Sequence, residues 1–164
     1  MKNFLLFTVS NRSFACAFED ILRIEPAAGS GAAEITPVPG FPDYMPGTAE
    51  IDGEITPIID AAKRFGLGEA GDRTRACYIV ADIGSEGGEL GDQDKDKDKD
   101  ERYMKCALLA DAINGSVQCA DEDLLPPPEI NADSCVKYVT GTLEVNGATC
   151  FVISPNKTIG EKRN

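Results

Sequence analysis

The chain is 164 residues long, 42% hydrophobic and 27% charged, with 16 Gly, 10 Pro and neither His nor Trp. That composition suits one globular domain or two small lobes and argues against wholesale disorder. The missing histidine removes Ser-His and Cys-His nucleophile pairs and His-ligated zinc or haem, while a net charge of −12 opposes a nucleic-acid partner, whose phosphates need cations.

No run approaches the roughly 20 apolar residues of a membrane-spanning helix, so no direct membrane insertion is expected. The opening MKNFLLFTVSNRSFACAF is broken by Ser10, Asn11, Arg12 and Ser13 and does not read as a secretory signal. A cytoplasmic location follows as the expectation, and there thiols stay reduced. Cys16, Cys77, Cys106, Cys119, Cys135 and Cys150 never form a Cys-x-x-Cys pair, and they read as small buried hydrophobes rather than metal ligands.

Strand signals dominate. Residues 3–9 form an apolar run, and 14–18 follow after a four-residue polar turn, the pattern of a hairpin. Residues 19–25 carry Ile21, Leu22 and Ile24 and stop at Pro26; residues 27–46 are loose and rich in Ala, Gly and Pro. In 47–60 the Asp52-Gly53 dipeptide predicts a type I′ hairpin turn, because both central residues of that turn need positive φ. Asp60 is placed to cap a short helix over 61–65, with Gly66 as its stop. Strands are expected at 75–82 and 103–110, a helical turn at 121–125, and a last hairpin, 137–145 with 148–153, around Asn146-Gly147.

Residues 83–102 are the low-complexity stretch, with Asp at 92, 94, 96, 98 and 100 and Lys at 95, 97 and 99. An EF-hand loop starting at Asp92 would need glycine and glutamate where Lys97 and Tyr103 stand. The segment reads as a solvated, mobile acidic loop joining two strands, with no metal site and no cofactor.

The sequence also repeats. Gly47-Thr48-Ala49-Glu50-Ile51-Asp52-Gly53 returns as Gly141-Thr142-Leu143-Glu144-Val145-Asn146-Gly147, and Cys16-Ala17-Phe18 returns as Cys106-Ala107-Leu108. Two similar β units are expected, each closing on itself to remove its edges.

These residues resemble a CheW-like domain, the adaptor module of bacterial chemotaxis. The resemblance runs along nearly the whole chain: Phe4-Leu5-Leu6-Phe7, then Phe14-Ala15-Cys16-Ala17, then Ile21 and Ile24-Glu25 in place of the family's "V-x-E-I". Val38-Pro39-Gly40-Phe41-Pro42 through Gly47 matches its "P-x-x-P-x-x-x-x-G" approach, and Ile51-Asp52-Gly53 through Asp60 its "N-L-R-G-x-x-x-P-x-x-D-L". Ala107 to Ile113 stands for "G-x-x-V-D-x-V", Leu124 to Ile130 for "I-x-P-P-P", and Tyr138-Val139-Thr140-Gly141 for "Y-x-x-G". The family implies a mostly β fold of two intertwined five-stranded SH3-like β-barrels with few short helices. The first barrel is expected at about 12–75, the second at about 76–155 plus the N-terminal strand, in one domain over 1–164.

The resemblance implies a non-catalytic chemotaxis scaffold that couples methyl-accepting chemoreceptor tips to the histidine kinase CheA. One barrel would meet the kinase's regulatory domain, and a groove between barrels the receptor's helical hairpin. Ile21, Arg23, Gly47, Asp52, Gly53 and Ile55 are the candidate protein-binding residues: glycines for close approach, isoleucines for apolar area, Arg23 and Asp52 for partner choice. The plainer readings are a turn for Asp52 and Gly53 and core for the two isoleucines. Asp52 stands where the family has arginine, and Arg23 where it has glutamate, so the pair is expected with its charges exchanged. The family's closing helix is also replaced by Ser154-Pro155-Asn156-Lys157. Those departures leave open a diverged interaction module or decoy that binds another signalling protein. A thiol-based enzyme is the remaining alternative, but only Cys119 and Cys135 have polar neighbours, and nearby carboxylates raise a thiol's pKa.

Overall fold

The structure is a computed structural model that describes residues 2–84, 103–126 and 139–154. The 83–102 loop except its first two residues, Cys135, Pro127 to Tyr138 and the tail from Pro155 lie outside the described residues. Among the described residues ten strands and one short α-helix follow in order: β1 (Lys2–Val9), β2 (Arg12–Ala17), β3 (Arg23–Pro26), β4 (Gly47–Ile51), β5 (Glu54–Asp60), α1 (Ala61–Arg64), β6 (Cys77–Gly84), β7 (Tyr103–Ala110), β8 (Ala112–Cys119), β9 (Val139–Val145) and β10 (Ala148–Ile153).

They form two five-stranded sheets, a terminal sheet of order β8-β1-β2-β10-β9 and a middle sheet of order β3-β6-β7-β5-β4. The two orders are the same when β1–β5 are matched with β6–β10. Each sheet therefore takes its first two strands from one repeat and its other three from the other. The mostly β, two-unit architecture agrees with the sequence reading, but the barrel boundaries do not. β2 (Arg12–Ala17), expected in the first barrel, lies in the terminal sheet. β6 and β7, expected in the second, lie in the middle sheet. The physical reason is the crossing contact, where β2 runs parallel to β10 (Phe14↔Phe151, Ala15↔Val152) and β5 parallel to β7 (Ile58↔Ala107, Ile59↔Leu108).

Three apolar cores follow from this exchange. Alternation along β2 sends Phe14 and Cys16 to a core between the sheets, and Ala15 and Ala17 to the inside of the terminal sheet. Both faces of β2 are thus covered, which is why its sequence reads as a continuous apolar run. Between the sheets, Phe14 stacks on Phe7 and Phe65 at centroid distances of 5.8 and 5.0 Å. The middle sheet encloses Ile51, Ile58, Tyr78, Val80, Ala107 and Leu109.

The turns obey the backbone rules that their residues impose. Asp52 and Gly53 have φ +55° and +79°, Asn146 and Gly147 +53° and +82°. The first hairpin is tighter than the four-residue expectation, since only Ser10 and Asn11, at φ +52° and +66°, leave the ladder. The Asp60 side chain accepts from the Ala62 N–H at 3.0 Å to cap α1, and Gly66 (φ +71°) ends it. Residues 19–25 are not one strand: a 3₁₀ turn, Phe18–Asp20, precedes β3.

Each repeat also pins its incoming chain with one two-bond bridge. Thr36 and Thr48 exchange N–H···O bonds of 2.7 and 2.9 Å, and Leu125 and Thr142 exchange two of 2.9 Å. Thr48 and Thr142 are equivalent residues of the repeat.

Candidate protein-docking site

The six candidate residues fall into three environments. Arg23, Asp52, Gly53 and Ile55 gather at the tip of the β4–β5 hairpin and the facing strand β3. Gly47 sits at the other end of that hairpin, opposite Ile58. Ile21 is half-buried and packs against the core between the sheets.

Arg23 lies on one edge of the middle sheet and Asp52 in the turn at the other edge. The Arg23 Nη1 donates to Asp52 Oδ2 at 2.9 Å, while its Nε donates to Glu25 Oε2 at 2.7 Å. The exchanged pair expected from the sequence is therefore formed. The ladder places Arg23 opposite Val80 and Glu25 opposite Tyr78, on the face that encloses the small core. The ion pair closes the sheet's open side with side chains, where main-chain bonds do not. Its hydrogen bond to Glu25 is the largest cause pushing the Arg23 guanidinium up from its ordinary pKa, against a smaller desolvation and with help from the Asp52 and Glu25 charges.

Gly47 carries φ +154°, and a Cβ there would lie 2.0 Å from the Thr36 carbonyl oxygen. Its role is to let the 36–37 segment cross β4. Gly141 answers it in the other repeat, with the Leu125 oxygen 2.8 Å from a would-be Cβ. Gly53 faces open space and serves the turn.

Ile55 is 75% exposed, the most exposed large apolar side chain among the described residues. The repeat supplies an internal comparison. The equivalent positions Asn146, Gly147, Ala148 and Thr149 build the same turn in the second hairpin with a polar residue in place of Ile55. The backbone therefore does not demand isoleucine, and the side chain is free to serve contact with another molecule. Phe18, Leu22 and Ile24 are further exposed apolar residues at and before β3, which sequence reading of core strands passed over. Lys105 also donates to Glu54 Oε1 at 2.7 Å beside the tip, a pair no local motif announces.

The other barrel end is built differently. Between its edge strands β8 and β9 a cleft of about 360 Å³ opens, with Val117, Leu125, Leu143 and Val145 as apolar walls and Glu122, Asp123 and Glu144 as carboxylates.

The thiols among the described residues are poorly suited to attack. Burial, reinforced by the Asp20 charge, pushes Cys16 up to about 12, and burial alone takes Cys106 to about 12. Cys119 is raised by burial first and then by Asp123 and Asp121. No helix among the described residues is long and apolar enough to cross a membrane.

A family model for the CheW-like domain matches residues 3–163. The chain belongs to the CheW-like family. Among curated CheW-like relatives it is 26% identical to the probable chemotaxis protein CheW of Rhizobium etli, covering 88% of this chain and 79% of that protein. It is 25% identical to the chemotaxis protein CheW of Rhizobium meliloti (89% and 79% covered) and 25% identical to protein FrzA of Myxococcus xanthus (89% and 76%). The solved scaffolding protein TtCheW of Thermoanaerobacter tengcongensis superimposes with a TM-score of 0.71 at 22% identity, over 93% of this chain and 84% of that one, and so shares the fold.

Proposed function

We propose that this CheW-like chain is a non-catalytic, cytoplasmic scaffold that joins the regulatory domain of the histidine kinase CheA to chemoreceptor cytoplasmic tips. The observation that carries the reading is the β4–β5 tip, where Ile55 is 75% exposed while its counterpart in the repeat is Thr149. Beside it Arg23 and Asp52 form a charged rim. Apolar area at the centre with charges at the edge is the layout of a specific protein contact.

A second reading is favoured by the orientation of the Arg23–Asp52 pair. The resemblance implies the opposite order of charges, so the field shown to a partner is reversed, and like charges brought together redirect specificity. On this reading the chain is a diverged module that binds another signalling protein. A pull-down against the CheA regulatory domain of the same organism separates the two. Capture that is lost in Ile55→Ala supports the scaffold, and absence of capture by the unmodified chain supports the diverged module.

A further inference from the structure

The β4–β5 tip carries carboxylates of two kinds. Asp52 meets Arg23 at 2.9 Å and Glu54 meets Lys105 at 2.7 Å, so both have a cation of their own. Glu50 does not: among the described residues no Lys or Arg lies within ion-pair distance of it. In the β4–β5 register Glu50 stands directly opposite Ile55. Directly opposed residues project from the same face with Cβ atoms about 4.5–5.5 Å apart. Both side chains are exposed, and β4 is the outermost strand of the middle sheet. The tip thus presents an isoleucine with a negative charge at its side that no cation among the described residues answers.

We propose that the surface which covers Ile55 is an apolar socket bearing an arginine or lysine that meets the Glu50 carboxylate. The inference rests on the docking reading above and names the chemistry of the partner. Any surface that buries Ile55 also strips water from Glu50 one cross-strand step away. A carboxylate desolvated without a cation costs more than the apolar contact returns, and an acidic facing group adds repulsion. Neighbouring Asp52 and Glu54 cannot supply the cation, and Arg23 and Lys105 are already engaged by them. The net charge of −12 draws a basic surface at long range in the same sense.

Titration calorimetry of the full chain against the CheA regulatory domain of the same organism, at roughly 50 and 300 mM salt, tests this. Glu50→Gln is expected to weaken binding about 3- to 10-fold at low salt and to flatten the salt dependence, and Glu50→Lys to weaken it about 30-fold or more. Ile55→Ala is expected to weaken binding about 10-fold at both salts. If Ile55→Ala weakens binding while Glu50→Lys binds as tightly as the unmodified chain, the cation is overturned and the docking site stands. If Ile55→Ala binds unchanged, the docking site falls and the cation with it; if the unmodified chain does not bind, the scaffold reading falls in favour of the diverged module, and a CheA surface with a cation for Glu50 is overturned.

Discussion

Arg73 reaches from the connection between the two repeats to Asp111, its Nε donating to Oδ1 at 2.7 Å. The same guanidinium holds Asp60 at 2.8 Å through Nη2, and the other Asp111 oxygen accepts from the backbone N–H groups of Ser10 and Gly71 at 2.8 and 2.7 Å. Asp111 is 1% exposed, and three donors, the Arg73 Nε and the two backbone N–H groups, take the place of water around its carboxylate. Asp111→Ala leaves a half-buried guanidinium and two backbone donors short of a partner. Urea unfolding is expected to show a loss of about 3–5 kcal/mol. A loss under about 1 kcal/mol would show that water replaces the carboxylate.

Gly47 and Gly53 both have positive φ, but only Gly47 lies under a crossing chain. Gly53→Ala is expected to cost about 1–2 kcal/mol, the left-handed penalty alone. Gly47→Ala must also displace the Thr36 carbonyl and break the Thr36–Thr48 bridge, at a total above about 3 kcal/mol. Equal melting temperatures for the two variants would contradict the crossing as a constraint.

The Arg23–Asp52 pair is exposed, with side-chain accessibilities of 43% and 65%. A double-mutant cycle on folding is expected to return a coupling below about 1 kcal/mol. Exchanging the pair, Arg23→Asp with Asp52→Arg, should leave the melting temperature nearly unchanged and alter which kinase domain is captured. Unchanged capture would remove partner choice from this pair.

Cys16 and Cys106 keep their protons to about pH 12, against 9.0 for an ordinary thiol. Both values are raised in the folded chain, so the stabilisation is complete below about pH 9 and is lost as pH rises toward 12. Above pH 9 the unfolded chain sheds protons that the native one retains, and stability falls by about 1.4 kcal/mol per pH unit for each thiol. Chemical denaturation at about pH 8 and about pH 10 should show a steeper decline than in a Cys16→Ala/Cys106→Ala double variant. Parallel declines would mean the thiols are accessible.

Much of this architecture is legible in local sequence, and the parts that are not share a cause. Asp52-Gly53, Asn146-Gly147 and Asp60 announce their turns and cap because positive φ and capping oxygens are demands of single residues. The repeat announces two units. It does not say that β2 pairs with β10 rather than β5, since the two copies are alike and either pairing satisfies the apolar pattern. β8 escapes notice because Asn114, Gly115, Ser116 and Gln118 face solvent and the register slips near Gly115. At the candidate site, Arg23 with Asp52 is readable from alignment to the family motif. Whether an isoleucine is core or contact is not: Ile21 and Ile55 look alike in sequence and part only when burial is known. Arg73 is hidden for the opposite reason, lying in a polar loop far along the chain from Asp111.

The exchange of strands between repeats sets the order in which the molecule can be completed. β10 is wedged between β2 and β9, so Phe14 waits for Phe151 before the terminal sheet is whole. A nascent chain leaving the ribosome can complete the middle sheet once β7 has emerged, but not the terminal sheet until its final hairpin follows, and truncation anywhere between β7 and β10 leaves β2 with a bare hydrogen-bonding edge.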